Sequence, residues 1–209
     1  MIDFLSQNLQ ELYQYFLDPN KRLFIGYLVS AVFLAIPVYW LSTSVKSLSG
    51  FIKFIVPGAI YCSRSAKQDY VLLVLNKLLK AALFPLVIIT MAPVALSVSS
   101  ALEWLFQTTS FIQASSSTIM ICFTVMLFVF DDFTRFLLHY WLHKVPMLWE
   151  FHKVHHSAEV LTPFTIYRSH PVENYLYACR MAITQGTVVG VCYFLFGPTL
   201  KMIDILGAN

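Results

Sequence analysis

Between Arg22 and Lys46 the chain carries no charged side chain, and its apolar part, Leu23 to Leu41, is long enough to cross the ~30 Å hydrocarbon core of a bilayer as one helix. In lipid every backbone N–H and C=O must be satisfied within the fold, and an unbroken apolar run, unlike an alternating one, does this as a helix. Further apolar runs lie at 78–98, 118–138 and 174–196. Charged residues make up only 12% of the 209, about half the share typical of soluble domains, which excludes an ordinary soluble or a disordered chain. The expected fold is all-α: a polytopic membrane protein with about four transmembrane helices and histidine-bearing helices on the cytoplasmic side.

The remaining segments fit around these spans. Residues 1–22 read as an interfacial helix, with Phe4, Leu5, Leu9, Leu12, Tyr13 and Phe16 at mostly helical spacing and Asp18-Pro19-Asn20 as a stop. Residues 42–69 hold a short apolar core broken at Pro57-Gly58, too short to cross and therefore re-entrant or interfacial. Pro85 and Pro93 are expected to kink span two. Span three is expected to continue as helix through Asp131, Asp132 and Arg135 to His143, and span four to stop at Gly197-Pro198. The whole reads as one membrane domain, 1–209, with the N-terminal segment lacking a signal peptide's basic region, so that the first span is retained as an anchor.

Charge sets the expected orientation. Ser42 to Asp69 carries Lys46, Lys53, Arg64 and Lys67; Ser99 to Ser117 carries no Lys or Arg; Arg135 to Glu173 carries Arg135, Lys144, Lys153 and Arg168. The positive-inside rule places both basic regions in the cytoplasm. The net charge of +3 is spread through loops, which excludes nucleic acid as a partner. Cys62, Cys122, Cys179 and Cys192 show no CxxC spacing and read as packing residues rather than disulfides or a zinc knuckle.

All six histidines fall between His139 and His170. His139 and His143 are four apart, so at about 100° per residue they stack on one helix face. His152, His155 and His156 repeat the pattern at i, i+3 and i+4, and Pro146 between the motifs suits a turn between two helices. Either motif alone matches a solvated interfacial pair; the two together point to a metal bound by five imidazoles, and imidazole suits iron, zinc or copper. Asp132 lies on the face of His139, as an acceptor that orients a ligand or as a partner of Arg135; Asp131 reads as the partner of Arg135. His170, before Pro171 and Glu173 at a helix start, is a metal ligand, a cap or a substrate contact. Glu150 and Glu159 flank the second motif and read as solvated, with an occasional ligand role as the alternative for either.

The stretches DDFTRFLLHYWLH and LWEFHKVHHSAEVLTPFTIYRSHPVE resemble the fatty acid hydroxylase/sterol desaturase superfamily, in particular its bacterial members, and the earlier SRSAKQDYVLLVLNKLL resembles the segment ahead of its second span. The resemblance covers roughly residues 60–200. It implies a membrane enzyme of the bacterial inner membrane with a non-haem di-iron centre on the cytoplasmic side, using O2 and two electrons to hydroxylate or desaturate a lipid C–H bond. It assigns His139 and His143 to the first histidine box, His152, His155 and His156 to the second, and Asp132 to the acidic position before the first. Family members carry further boxes after the fourth span, whereas no histidine follows His170, so the second iron site is expected to be incomplete here and the chain to be the N-terminal part of a longer domain or a truncated product inactive alone. No Rossmann or haem-attachment motif is present, which implies an external electron donor, a reductase with ferredoxin or cytochrome. Two other readings compete: a non-enzymatic membrane metal-binding or transport protein, and a zinc hydrolase, which HKVHH disfavours because it lacks the glutamate of HExxH.

Overall fold

A computed structural model describes residues 2–44, 46–83, 89–108 and 112–197. Its regular structure is helical, with α1 Ile2–Leu17, α2 Ile25–Ser42, α3 Leu48–Ile55, α4 Gly58–Tyr61, α5 Arg64–Leu83, α6 Met91–Phe106, α7 Ser116–Lys144, α8 Pro146–His156 and α9 Pro171–Phe196. The chain forms two compact units, one of Met1–Pro85 with Glu150–Pro171 and the other of Leu86–Trp149 with Val172–Asn209.

In the first unit, α1 ends where Asp18 Oδ1 accepts from the backbone N–H of Asn20 at 2.9 Å, the turn that Asp18-Pro19-Asn20 predicts. Helix α2 follows without a charged residue, and its buried Tyr39 packs on Phe51 and Phe54 with ring centroids 5.3 and 5.5 Å away. Ser47 caps α3 by accepting from Gly50 N–H at 3.0 Å, and the helix stops ahead of Pro57 as expected. Helix α5 receives α1 through the Lys77–Glu11 ion pair, and its Asn76 amide donates to the carbonyls of Tyr167 and Ser169 at 3.3 and 2.8 Å. A 3-10 turn, Thr165–Tyr167, is further held by Tyr15 stacking on Tyr167. These contacts tie the segment after α8 to α5.

The second unit has a core of Ile119 and Phe123 from α7 with Val188, Cys192 and Phe196 from α9. Helix α6 reaches α9 along Gly186 and Gly190. A Cβ at Gly190 would lie 2.5 Å from the Ala95 carbonyl oxygen, and one at Gly186 would lie 2.6 Å from Val94 Cβ, so only glycine permits this approach. Gly197, just past α9, has φ 50°, the left-handed conformation that ends helices; Pro198 lies outside the described residues.

The count of about four spans needs correction. By length and apolar composition two of the described helices qualify, α2 and α9. The expected span 78–98 is not one helix: α5 ends at Leu83 and α6 starts at Met91. Helix α5 carries Lys67, Asp69, Lys77 and Lys80, and α6 at 16 residues measures only about 24 Å. Pro93 stands in the first turn of α6, where a missing N–H costs no hydrogen bond, and kinks nothing; Pro85 lies outside the described residues. Helix α7 runs unbroken through Asp131, Asp132 and Arg135, as expected, but its apolar part, 118–130, is about 20 Å long before those charges begin.

Candidate metal centre

Helix α7 carries His139 and His143 to its last turn, where Val145 N–H donates to Trp141 O at 2.8 Å and Pro146 opens α8. Proline at the first position of a helix loses nothing, because that N–H has no intrahelical acceptor. One residue therefore joins the two histidine-bearing helices. In the second unit, the Nε2 atoms of His139 and His143 stand 3.1 Å apart and the His143 ring packs 5.4 Å from that of Trp149. In the first, the Nε2 atoms of His152 and His156 are likewise 3.1 Å apart, with His152 buried. Two donors about 3 Å apart are what one ion requires when each nitrogen lies ~2 Å from it. Within each unit, then, one histidine pair offers two donor atoms that a single metal ion could share.

His155 is placed differently. Its Nδ1 faces the carbonyl oxygen of Arg168 at 3.3 Å, and its ring lies 5.6 Å from that of His152 and 5.2 Å from that of His156. A carbonyl only accepts, so this contact puts the proton on Nδ1 and leaves the lone pair on Nε2. His170 packs against Phe151, ring centroids 4.9 Å apart. Asp132 is exposed, and Asp131 takes the ion pairs instead: Arg135 Nη2 donates to its Oδ2 at 2.7 Å and Arg180 Nη1 to its Oδ1 at 2.7 Å. Arg180 also donates to Thr134 Oγ1, which shares a hydrogen bond with Thr184 Oγ1 at 2.9 Å. Glu150 is exposed and pairs with Lys153.

Two residues essential to this arrangement escape a reading of the sequence. Arg168, read there only as one of the basic loop residues, is 1% exposed, and Asp69, its partner, is 0% exposed, so their charges are fully withdrawn from water. The guanidinium donates to both oxygens of Ser157 and both of Ser65 as well as to Asp69, while Thr165 Oγ1 donates to the other Asp69 oxygen at 2.6 Å. A buried charge pair is tolerated only when its remaining hydrogen-bonding capacity is met, and here it is. The network fixes α5, the end of α8 and the segment before α9, and so positions the carbonyl that faces His155. Arg180 was also missed, although a cation inside the apolar run 174–196 is itself a signal that a partner exists.

The features described so far define a class, a helical protein of membrane character with paired imidazoles near helix ends. Comparison with known proteins narrows it. Residues 124–206 match the family model for fatty acid hydroxylase, which includes all six histidines. A 48-residue stretch is 44% identical to the Delta(7)-sterol 5(6)-desaturase of Eremothecium gossypii, covering 23% of this chain and 14% of that protein. Over the matched residues the chain is thus similar to fatty acid hydroxylases and to a sterol desaturase, and it spans only a small part of the length of that relative. The relative is eukaryotic, so the comparison lends nothing to a bacterial origin. No solved structure matches.

Proposed function

We propose that the protein is a membrane-bound non-haem iron oxidoreductase that hydroxylates or desaturates a lipid C–H bond. The observation that carries this reading is the pair of Nε2–Nε2 spacings of 3.1 Å on helices joined by a single residue, within a segment matching the fatty acid hydroxylase family. Under it, His139, His143, His152 and His156 hold iron, with His155 as a fifth donor through the Nε2 that the Arg168 carbonyl leaves unprotonated. Iron held by neutral imidazoles supplies the activation of O2, and two such ions are expected from the family. The chain's own residues set the surroundings. His152 is buried while His143 and His156 are exposed, and Asp69–Arg168 keeps the second box in register. Asp132 is proposed to orient His139 from the preceding turns of α7, and His170 to meet substrate or metal beside Phe151.

Substrate and partners belong to the same proposal. A fatty acyl chain or sterol would come from the bilayer and electrons from an external reductase with ferredoxin or cytochrome, with the histidines on the cytoplasmic side. The test is metal analysis of the purified chain: iron that is retained in the parent and lost in His152→Ala supports the reading, and undiminished iron in that variant refutes it.

A second reading, non-enzymatic metal binding or transport, is favoured by one observation: each Nε2 pair by itself offers an ion two donors. O2-dependent turnover of a lipid by the iron-loaded chain with an electron donor separates the two.

A further inference from the structure

A cleft of about 490 Å³ lies within the first unit, between α5 and the end of α8. One end of it is cationic and the other apolar. Arg64, Lys67 and Gln68 line it from the first turns of α5, Val71 and Leu72 from the next turn, and Val154 from α8. At positions 64, 67, 68, 71 and 72 these follow the i, i+3, i+4, i+7, i+8 rule, so they form one stripe along the helix. The stripe continues outward at Leu75, four residues beyond Val71, and the two side chains are 43% and 64% exposed.

The charges in this cleft are unequal in kind. Arg168 also lines it, but its guanidinium is neutralised by Asp69 and saturated by Ser65 and Ser157. Arg64 and Lys67 are exposed, neither has an ion-pair partner among the described residues, and no acid lines the cleft. A volume of this size falls in the range of small-molecule sites. It presents two uncompensated cations at one end and exposed aliphatic side chains leading away from them, which is complementary to an amphiphile with a compact anionic head and a hydrocarbon tail.

We infer that this cleft binds an anionic glycerophospholipid, its phosphate between Arg64 and Lys67 and an acyl chain along Val71 and Leu75. The site needs no metal and stands whether or not the histidines hold iron. Because Val154 lies between His152 and the His155–His156 pair in sequence, the bound lipid rests against the helix that carries the second histidine box.

The experiment measures binding to the full chain in neutral detergent, using dioleoyl phosphatidic acid, dioleoyl phosphatidylcholine, sodium oleate and inorganic phosphate as probes. Phosphatidic acid is expected to bind most tightly, and the double variant Arg64→Gln, Lys67→Gln to weaken it about tenfold or more while leaving helicity unchanged, since both side chains are exposed. Lys53→Gln, an exposed cation on α3 outside the cleft, should leave binding as it is. An equal loss in Lys53→Gln would show general electrostatic attraction and overturn the site. So would inorganic phosphate or phosphatidylcholine binding as tightly as phosphatidic acid, and tighter binding of oleate would overturn the phospholipid as occupant.

Discussion

His155 differs from the other two histidines of α8 in what its ring faces: a backbone carbonyl on Nδ1, held in place by a side chain that belongs to the same residue as the carbonyl. Replacing that side chain therefore acts twice. Arg168→Ala leaves Asp69 as an uncompensated buried carboxylate, which costs about 3–5 kcal/mol, and frees the carbonyl that sets the His155 tautomer. The expected outcome is a lower thermal midpoint together with weaker metal retention, read by melting and by metal analysis of whatever remains folded. A drop in stability with metal affinity untouched would show that the network is structural alone. Arg135→Ala should do much less, because the Arg135 side chain is 59% exposed and Asp131 keeps its second partner, Arg180; about 0–1 kcal/mol is expected by thermal melting.

At the scale of elements, the approach of α6 to α9 rests on Gly186 and Gly190. In Gly190→Leu the new side chain meets the Ala95 carbonyl, a backbone atom that cannot swing away, and a loss of at least about 1–3 kcal/mol is expected from thermal melting. Gly58→Ala is the contrast, since a Cβ there meets nothing within 4 Å, and it should leave the stability read by melting within about half a kcal/mol. Elements differ in how far their sequence declares them. Helices α2, α8 and α9 were legible because a long apolar run or an i, i+4 pattern bounded by proline has one economical reading. The supposed span at 78–98 was not, because Leu78, Leu79 and the apolar residues after Lys80 merge with those of α6 in composition, and hydropathy alone does not show where a helix breaks. Histidine spacing likewise disclosed both Nε2 pairs, but spacing carries no information about partners far along the chain, so Asp69, Arg168 and Arg180 stayed hidden.

For the whole molecule, two uncharged or nearly uncharged helices, α2 and α9, remain as candidates to hold the chain in a bilayer. Washing membranes with alkaline carbonate should leave the chain in the pellet, and its release would remove the membrane reading. Each Nε2 pair offers an ion two donors, so the double variant His139→Ala, His143→Ala should lower the metal bound per chain in a titration of the full chain, and unchanged binding would remove that pair from the donor set.

The Asp69–Arg168 pair joins residues 99 positions apart. At the usual ~5–20 residues per second of synthesis, about 5–20 s pass between the appearance of the acid and that of its base. During that interval Asp69 lacks the base that neutralises it in the folded chain. The timing of the ribosome thus falls into the assembly of the site: the imidazoles of α8 exist before the clamp that positions them, and they reach their final arrangement only after Arg168 has arrived to close it.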